Sequence, residues 1–524
     1  MSDKKPIKLK RVLGPFDLIM MGVGCVIGVG IYILSGVAAA NYAGPAVIIS
    51  FILSGLLCVF VALAYGELAS MFPLAGSAYS YSYYAFGKMV AWFLGWTLLL
   101  EYTVAASAVA AGWSSYFQVF LKTAFNLTWP AQLGSVPGSL PDGAWSFNLP
   151  SVLIITAITL ISIKGMQESA WINNIIAVFK ILILLFFIGF GCFFIDPANW
   201  HPFIPERIST ISTEAGSGLW ELPIMDIVKG LFSSGGLAGL LKEKAVFWHY
   251  GIQGILTGSA IVFFTYVGFD MVSSTAEETK NPQKNLPIGI IGSLLIATLL
   301  YIAVALVLTG IMPPVVNGLP NPQLIDKDAA APLAIAFSSI AQGSGKIPAL
   351  LVSVGALAGV TTTLLALSLG LSRILLAISR DKFIPAFFSK IHTQYQTPYI
   401  STICSSLFIA FAASCLPIGK LAELCNLGTL AAFVFVCSSV IILRKKYPDM
   451  KRIFKCPAVP LVPIIGMIFC LLLMFSLPLI TWTWFAIWLI IGIIIYWFYG
   501  HKKALDFPCQ NALKQALEEQ ESEN

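Results

Sequence analysis

The stretch Gly22-Val23-Gly24-Cys25-Val26-Ile27-Gly28-Val29-Gly30, continued by Ile31-Tyr32-Ile33-Leu34-Ser35-Gly36, decides how this chain reads. It sits in an apolar run from Val12 to Val37. Crossing a bilayer takes roughly 17–25 such residues, so the run is long enough to span. The glycines between Gly22 and Gly36 allow two readings. Glycine lets membrane helices pack closely, so the run can be one tight helix. It can also be a helix interrupted near its middle, because glycine is costly to hold helical.

A second segment favours interruption. Ile261-Val262-Phe263-Phe264-Thr265-Tyr266-Val267-Gly268-Phe269-Asp270 places a glycine beside a carboxylate at membrane depth. By segment order, these two stretches hold matching places, first and sixth, in two five-span halves. Paired interrupted segments in matching places are the sequence signature of an inverted-repeat transporter site. No full internal sequence repeat accompanies them. Unwinding a helix in the bilayer bares N–H groups at one half-helix start and C=O groups at the other half-helix end, at several kcal/mol for each unsatisfied group. A zwitterion answers both, its carboxylate taking the N–H groups and its ammonium the carbonyls. An amino acid backbone is the ligand that such a pair of breaks fits.

Composition places the whole chain in a bilayer. Of 524 residues, 58% are apolar and 11% charged, against about 25% charged in soluble domains. Twelve apolar segments are expected to span, near 15–37, 43–71, 88–121, 151–168, 171–195, 252–278, 287–312, 347–379, 398–416, 419–443, 460–477 and 480–500. Alternating them from an inside N-terminus puts 22 of the 31 Lys and Arg residues inside, 8 outside and Lys180 within a span, as the positive-inside rule requires. Both termini are then cytoplasmic, in a multi-pass protein of the cell (inner) membrane. The run after Lys4, Lys5, Lys8, Lys10 and Arg11 is too long for a signal peptide and reads as a retained span.

The parts expected are a tail over 1–14, a five-span half over 15–195, an outside loop over 196–251, a second half over 252–443, two further spans over 444–500, and a polar tail over 501–524. Leu237 to Phe247 is expected to form a short interfacial helix. Ten cysteines, Cys25, Cys58, Cys192, Cys404, Cys415, Cys425, Cys437, Cys456, Cys470 and Cys509, form no metal-ligand or disulfide pattern. No metal and no organic cofactor is expected. No aromatic-interleaved basic patch points to nucleic acid.

Several motifs together resemble one family. They are Gly28-Val29-Gly30-Ile31-Tyr32 with Leu34-Ser35-Gly36; Tyr65-Gly66-Glu67-Leu68-Ala69-Ser70 followed by Pro73-Leu74-Ala75-Gly76-Ser77-Ala78-Tyr79; Gly95-Trp96 with Leu100-Glu101-Tyr102; and Gly268-Phe269-Asp270 leading to Glu277-Glu278, Asn281-Pro282 and Leu286-Pro287. Over residues 11–500 the chain resembles an amino acid–polyamine–organocation permease of the cationic amino acid transporter type, nearer the twelve-span bacterial members. The resemblance implies an all-α membrane protein with a LeuT-like 5+5 inverted repeat and two additional helices. It implies amides near Gly28, Val29 and Gly30 for the substrate carboxylate. It implies carbonyls near Val26 and Ile27, and the break at Phe264, Thr265 and Val267, for the ammonium. Phe264 would cap the substrate from outside. The outside loop before the sixth span is longer here than in the family pattern and takes no part in the implied site.

Charges at membrane depth carry the rest. Lys180 lies nine residues beyond Trp171, near mid-membrane at ~1.5 Å per residue. A lysine can snorkel to the interface, but a charge held at the centre costs at least ~2.5 kcal/mol and is by default functional. In the resembled family, proton-coupled members carry a lysine where sodium-coupled relatives hold a cation. The resemblance therefore implies Lys180 against the first-span carbonyls and hydroxyls such as Thr361 to Thr363, trading a proton as the coupling ion. Glu101 is either a packing carboxylate bonded to neighbouring hydroxyls or a member of the pocket. Asp270 reads first as the cap of a half-helix. Glu67, Arg373 and Glu423 read as gates or solvated flanks. No nucleophile elbow, phosphate loop or paired catalytic carboxylates support an enzyme, and no filter motif supports a channel. Proton symport, amino acid exchange and a transporter-derived sensor remain open, as does the substrate side chain; the partners are a small amino acid and the lipid bilayer.

Overall fold

A computed structural model describes residues 11–72, 77–140, 144–164, 170–206, 208–211, 222–231, 245–248, 250–316, 318–325, 331–340, 346–392, 394–395, 397–450 and 452–501. The chain is mostly helical, and helix occupies every apolar segment read from the sequence. We number the main helices α1 Pro15–Val26, α2 Val47–Met71, α3 Lys88–Phe125, α4 Leu149–Lys164, α5 Ala170–Gly191, α6 Gly251–Val262, α7 Pro282–Ile311, α8 Lys346–Arg380, α9 Tyr399–Cys415, α10 Ile418–Lys446, α11 Leu461–Phe475 and α12 Leu479–Ile495. Eight helical stretches among the described residues are long and apolar enough to cross a membrane; α1, α4, α9 and α11 are shorter apolar helices.

The core forms where α3 runs along α8 and α10 and where α7 runs along α2 and α1. Small residues set these approaches. A side chain on Gly112 of α3 would collide with Val29, and one on Gly22 of α1 would collide with Ser293 of α7. Apolar side chains crowd the opposite, lipid-like faces: Leu182 and Leu185 on α5, Leu407, Phe408 and Phe411 on α9, and Ile487, Ile490 and Trp497 at the end of the chain are exposed. Such faces are stable only in hydrocarbon.

α12 is held by an indole ladder. Trp92 Nε1 donates to Gly492 O (2.9 Å), Trp96 Nε1 to Trp488 O (2.8 Å), and Trp488 Nε1 to Trp96 O (2.9 Å). The Trp96 and Trp488 rings stack 4.5 Å apart. Buried indole N–H groups need acceptors, and helix carbonyls across the interface supply them, each through a second lone pair.

Contacts between connecting segments sort into two groups that alternate along the chain. In one, Leu13 N and Val12 N donate to Glu278 O, Tyr79 Oη donates to Asp381 Oδ2 (2.7 Å), and Thr397 Oγ1 to Ile163 O (2.8 Å). In the other, Leu479 N donates to Leu222 O (3.0 Å), Asn199 Nδ2 to Gly310 O (2.7 Å), and Trp200 Nε1 to Thr309 Oγ1 (3.1 Å). Each of these contacts brings two connecting segments, or a connection and a helix end, to the same place on the bundle. The segment between α5 and α6 departs from expectation. Ala245–Trp248 is a strand paired antiparallel with Ile208–Ile211, not the end of a helix over 237–247, whose remaining residues lie outside the described ones. Val246, Phe247 and Trp248 are β-branched or aromatic residues that favour a strand. The tail beyond His501 also lies outside the described residues.

Candidate functional site

Both glycine-marked stretches are broken, each by a turn that its residues require. α1 stops at Val26, and Ile27 takes φ −74°, ψ 87° with Gly28 N bonded to Val26 O at 2.9 Å. That is an inverse γ-turn. Helix resumes at Gly30 in a wide π-type turn. α6 gives way to a 3₁₀ turn over Phe263–Tyr266. Val267 (φ −59°, ψ 130°) and Gly268 (φ 113°, ψ −11°) then approach a type II turn before Phe269–Glu278 resumes. The second central position of such a turn needs positive φ, so glycine is required at 268.

The two breaks lie against one another. A Cβ on Gly30 would stand 2.8 Å from Thr265 Cα, and one on Gly268 would stand 3.3 Å from Cys25 Cβ. All eight expected ligand positions, Val26 to Gly30 with Phe264, Thr265 and Val267, are therefore gathered in one place, at the centre of the bundle. Val26, Ile27, Val29 and Thr265 are buried, as is Phe264 at the meeting of the breaks.

Several backbone groups expected to face a ligand have internal partners. Gly28 N is used by the γ-turn, which narrows the amide set to the helix restart at Val29 and Gly30. Phe264 O receives Val267 N at 3.2 Å. Tyr301 of α7, fully buried, sets its hydroxyl 2.8 Å from Val26 O and 2.9 Å from Thr265 O. One hydroxyl proton is thus shared between carbonyls of both breaks, and Val26 O, which also accepts the Gly28 N–H, has both its lone pairs engaged. Sequence reasoning missed Tyr301, although a lone hydroxyl in the apolar run Leu299 to Leu308 was the available signal.

Lys180 stands on the far side of the first break. It is wholly buried, and its Nζ donates to Gly24 O (2.5 Å) and Thr363 Oγ1 (3.0 Å), among other contacts. Thr363 Oγ1 also reaches Gly24 O (3.2 Å) and Ile27 O (3.4 Å). The ammonium thus sits where the last carbonyls of α1 converge, at the negative end of that half-helix. Thr361 is not part of this cluster; its hydroxyl receives Trp113 Nε1 at 3.0 Å.

Glu101 of α3 and Asp270 line one narrow cleft with Tyr102, Ala105, Val267, Gly268, Met271 and Leu367. Asp270 lies in the first turn of the resumed helix Phe269–Glu278, whose cap position is Gly268. The expected gate residues behave differently. Glu67 is not a solvated flank: it is wholly buried, taking Arg444 Nε (2.9 Å) and Nη2 (2.7 Å) and the Cys456 N–H (2.7 Å), with Arg452 Nε at 3.3 Å. A carboxylate brought in from water needs such donors. Glu423 is likewise buried, accepting from Thr481 Oγ1 at 2.8 Å with Lys420 at 3.5 Å. Arg373 is exposed.

Comparison with known proteins decides the family: the profile described as Amino acid permease matches residues 13–499. The chain belongs to the amino acid permease family. Its relatives include a methylthioribose transporter of Bacillus subtilis (strain 168), 42% identical over 96% of both chains. A branched-chain amino acid permease of the same organism is 39% identical over 94% of both. A chloroplastic cationic amino acid transporter of Arabidopsis thaliana is 36% identical over 83% of this chain and 67% of its own. This permease-family chain is accordingly a multi-pass membrane protein with a small-molecule substrate, a transporter and not an enzyme.

Proposed function

We propose that this chain carries α-amino acids across the cell (inner) membrane by alternating access, with a proton as the coupling ion. The fold behind this reading is twelve spans in two inverted five-helix halves, 15–195 and 252–443, with the loop 196–251 outside. The two helices over 444–500 are added, and the tails 1–14 and 501–524 are cytoplasmic. The alternating contacts of the connecting segments support it. The substrate carboxylate meets the amides of Val29 and Gly30, and its ammonium meets carbonyls of Ile27 and the break at Phe264 to Val267.

The observation that carries the coupling is the buried Lys180 ammonium bound to Gly24 O and Thr363 Oγ1. It braces the first break only while protonated, since a neutral amine loses the charge that the α1 carbonyls attract. Release of its proton on one side loosens the break, and rebinding on the other restores it. Uptake of labelled amino acids into proteoliposomes tests this. Acid outside stimulates the native protein, and Lys180→Ala abolishes the stimulation. Intact acid stimulation in Lys180→Ala would falsify the role.

A second reading rests on the relative named for methylthioribose. Here the substrate is a neutral thio-sugar whose hydroxyls meet the same carbonyls and carboxylates. A thermal-shift screen of the twenty amino acids beside methylthioribose separates the two: stabilisation by the sugar alone rejects the amino acid reading.

A further inference from the structure

The last turn of α6 is held from across the bundle. The final carbonyls of a helix lack partners within it, and at membrane depth they must find them elsewhere. Asn426 of α10 is wholly buried; its Nδ2 donates to Ala260 O (2.7 Å) and lies 3.4 Å from Ile261 O. Its Oδ1 is buried too and has no hydrogen-bond partner. A buried acceptor without a partner is costly, so this amide is kept for its N–H groups. The same arrangement holds the first break. Lys180 of α5 donates to Gly24 O, two residues before α1 ends at Val26. Asn426 of α10 donates to Ala260 O, two residues before α6 ends at Val262. In the two halves proposed above, α1 and α6 are the first helices, and α5 and α10 the fifth. An ammonium can give up its proton; a carboxamide cannot. α6 carries no titratable residue. Those on neighbouring elements are Glu101 and Tyr102 of α3, Tyr65 of α2, Tyr266 and Asp270 beyond α6, and Glu423 and Cys425 of α10 itself. Among the described residues, none of them bonds the Asn426 amide.

We propose that Asn426 is a positioning residue that clamps the second break as Lys180 clamps the first, and that it does so without a titrating group, so that protonation acts on the first break alone. The second clause rests on Lys180 as the coupling group. Ala260 and Ile261 lead directly into the Phe263–Tyr266 turn, which carries Phe264 and Thr265 to the site. Fixing those carbonyls fixes where the turn begins. In the fold proposed above, α1 leads to the cytoplasmic side and α6 comes from the outside. Titrating clamps on both would free both at one pH and open the site to the two sides together. A neutral clamp on α6 keeps the outer half-helix in place while loss of the Lys180 proton loosens the inner one, so the two sides open in turn.

The test follows amide hydrogen exchange of segments 24–30 and 262–268 in the full-length protein in lipid nanodiscs, from acid to neutral pH and corrected for intrinsic rates. Uptake of labelled leucine into proteoliposomes is measured beside it. In the native protein, 262–268 should keep one corrected rate across the range, while 24–30 exchanges faster as Lys180 loses its proton. Asn426→Ala should speed exchange of 262–268 at every pH and raise the half-saturation concentration roughly tenfold, with acid stimulation intact. Asn426→Asp makes the clamp titratable, since a protonated carboxyl donates to Ala260 O and a carboxylate cannot. Protection of 262–268 should then be present in acid and lost toward neutral pH, a dependence that a merely structural role would not create. Asn426→Ala decides the matter where Asn426→Asp does not fold. Unchanged exchange of 262–268 in Asn426→Ala overturns the proposal, as does exchange in Asn426→Asp that ignores pH, or loss of acid stimulation in Asn426→Ala. Exchange of 24–30 that ignores pH in the native protein overturns the Lys180 reading and leaves the Asn426 clamp standing. No leucine uptake by the native protein counts against the amino acid reading alone, because the exchange measurement needs no substrate.

Discussion

Replacing Gly30 by alanine tests whether the two breaks must touch for substrate to bind. The added methyl would stand 2.8 Å from Thr265 Cα, 2.9 Å from its Cγ2 and 3.1 Å from its Cβ. The nearest atom is backbone, so no rotamer change relieves it, and the halves on either side must separate. Overpacking of this kind costs about 1–3 kcal/mol. Gly30 also sits at the helix restart, so the cost falls on the arrangement that holds the ligand rather than on the bundle as a whole. With about 2 kcal/mol falling there, substrate affinity drops roughly 30-fold. The assay is the concentration dependence of labelled uptake in proteoliposomes, with melting in detergent as the check on folding. Gly189→Ala on α5, where an added methyl meets nothing within 4 Å, is the matched control and should behave as wild type. Adding Thr265→Ser removes the clash with Cγ2 but leaves the one with the backbone, so it restores only part of the affinity. An unchanged half-saturation concentration in Gly30→Ala would refute the reasoning, because the breaks could then part without cost to binding.

Other outcomes follow from the same geometry. Tyr301→Phe removes the hydroxyl shared by Val26 O and Thr265 O. It should cost about 1–2 kcal/mol, roughly a five- to thirty-fold rise in half-saturation concentration, with melting little changed. Glu67→Gln should destabilise the whole protein by about 3–5 kcal/mol, because Arg452, whose side chain is 7% exposed, loses its counter-charge; melting temperature reads this. Arg444→Lys should recover little, since a lysine cannot reproduce the paired contacts to both Glu67 oxygens. Asp381, beyond the end of α8, has its carboxyl pKa raised by burial, against the Tyr79 hydroxyl that lowers it. A raised acid favours the folded protein as its proton binds. The native form should therefore gain stability as pH falls through that raised value toward the ordinary ~4. Asp381→Asn should flatten that slope in melts recorded across the acid range.

The sequence was legible where one local rule decides the structure. Apolar length located every main helix, and Gly268 marked a turn that only positive φ permits. The break in α1 was readable as a place but not as a geometry: nothing in Val26-Ile27-Gly28 announces that Gly28 donates its own N–H inward. Lys180 was legible because a charge at mid-membrane demands a partner, and the structure supplies Gly24 and Thr363. Glu67 misled because its partners are Arg444 and Arg452, far along the chain; pairing at such separation leaves no periodic trace. Asp270 was read as a half-helix cap; the cap position of the resumed helix is Gly268, and Asp270 lies in its first turn, lining the same cleft as Glu101. The strand Ala245–Trp248 was hidden because its partner Ile208–Ile211 lies far back along the chain, before the helix Ile224–Leu231.

The indole ladder binding α12 to α3 makes the outermost helix a passenger of the innermost. α3 carries Glu101 and lines the cleft, while α12 turns Trp484, Ile487 and Ile490 outward toward acyl chains. Reciprocal donation between Trp96 and Trp488 leaves no slack for the two to slide. Any tilt of α3 during a transport cycle must drag α12 through the surrounding lipid, so the viscosity and thickness of the membrane become part of the turnover rate. Liposomes of graded acyl length should therefore change the rate of the native protein more than that of Trp488→Phe, and equal sensitivity would show that the two helices are not mechanically joined.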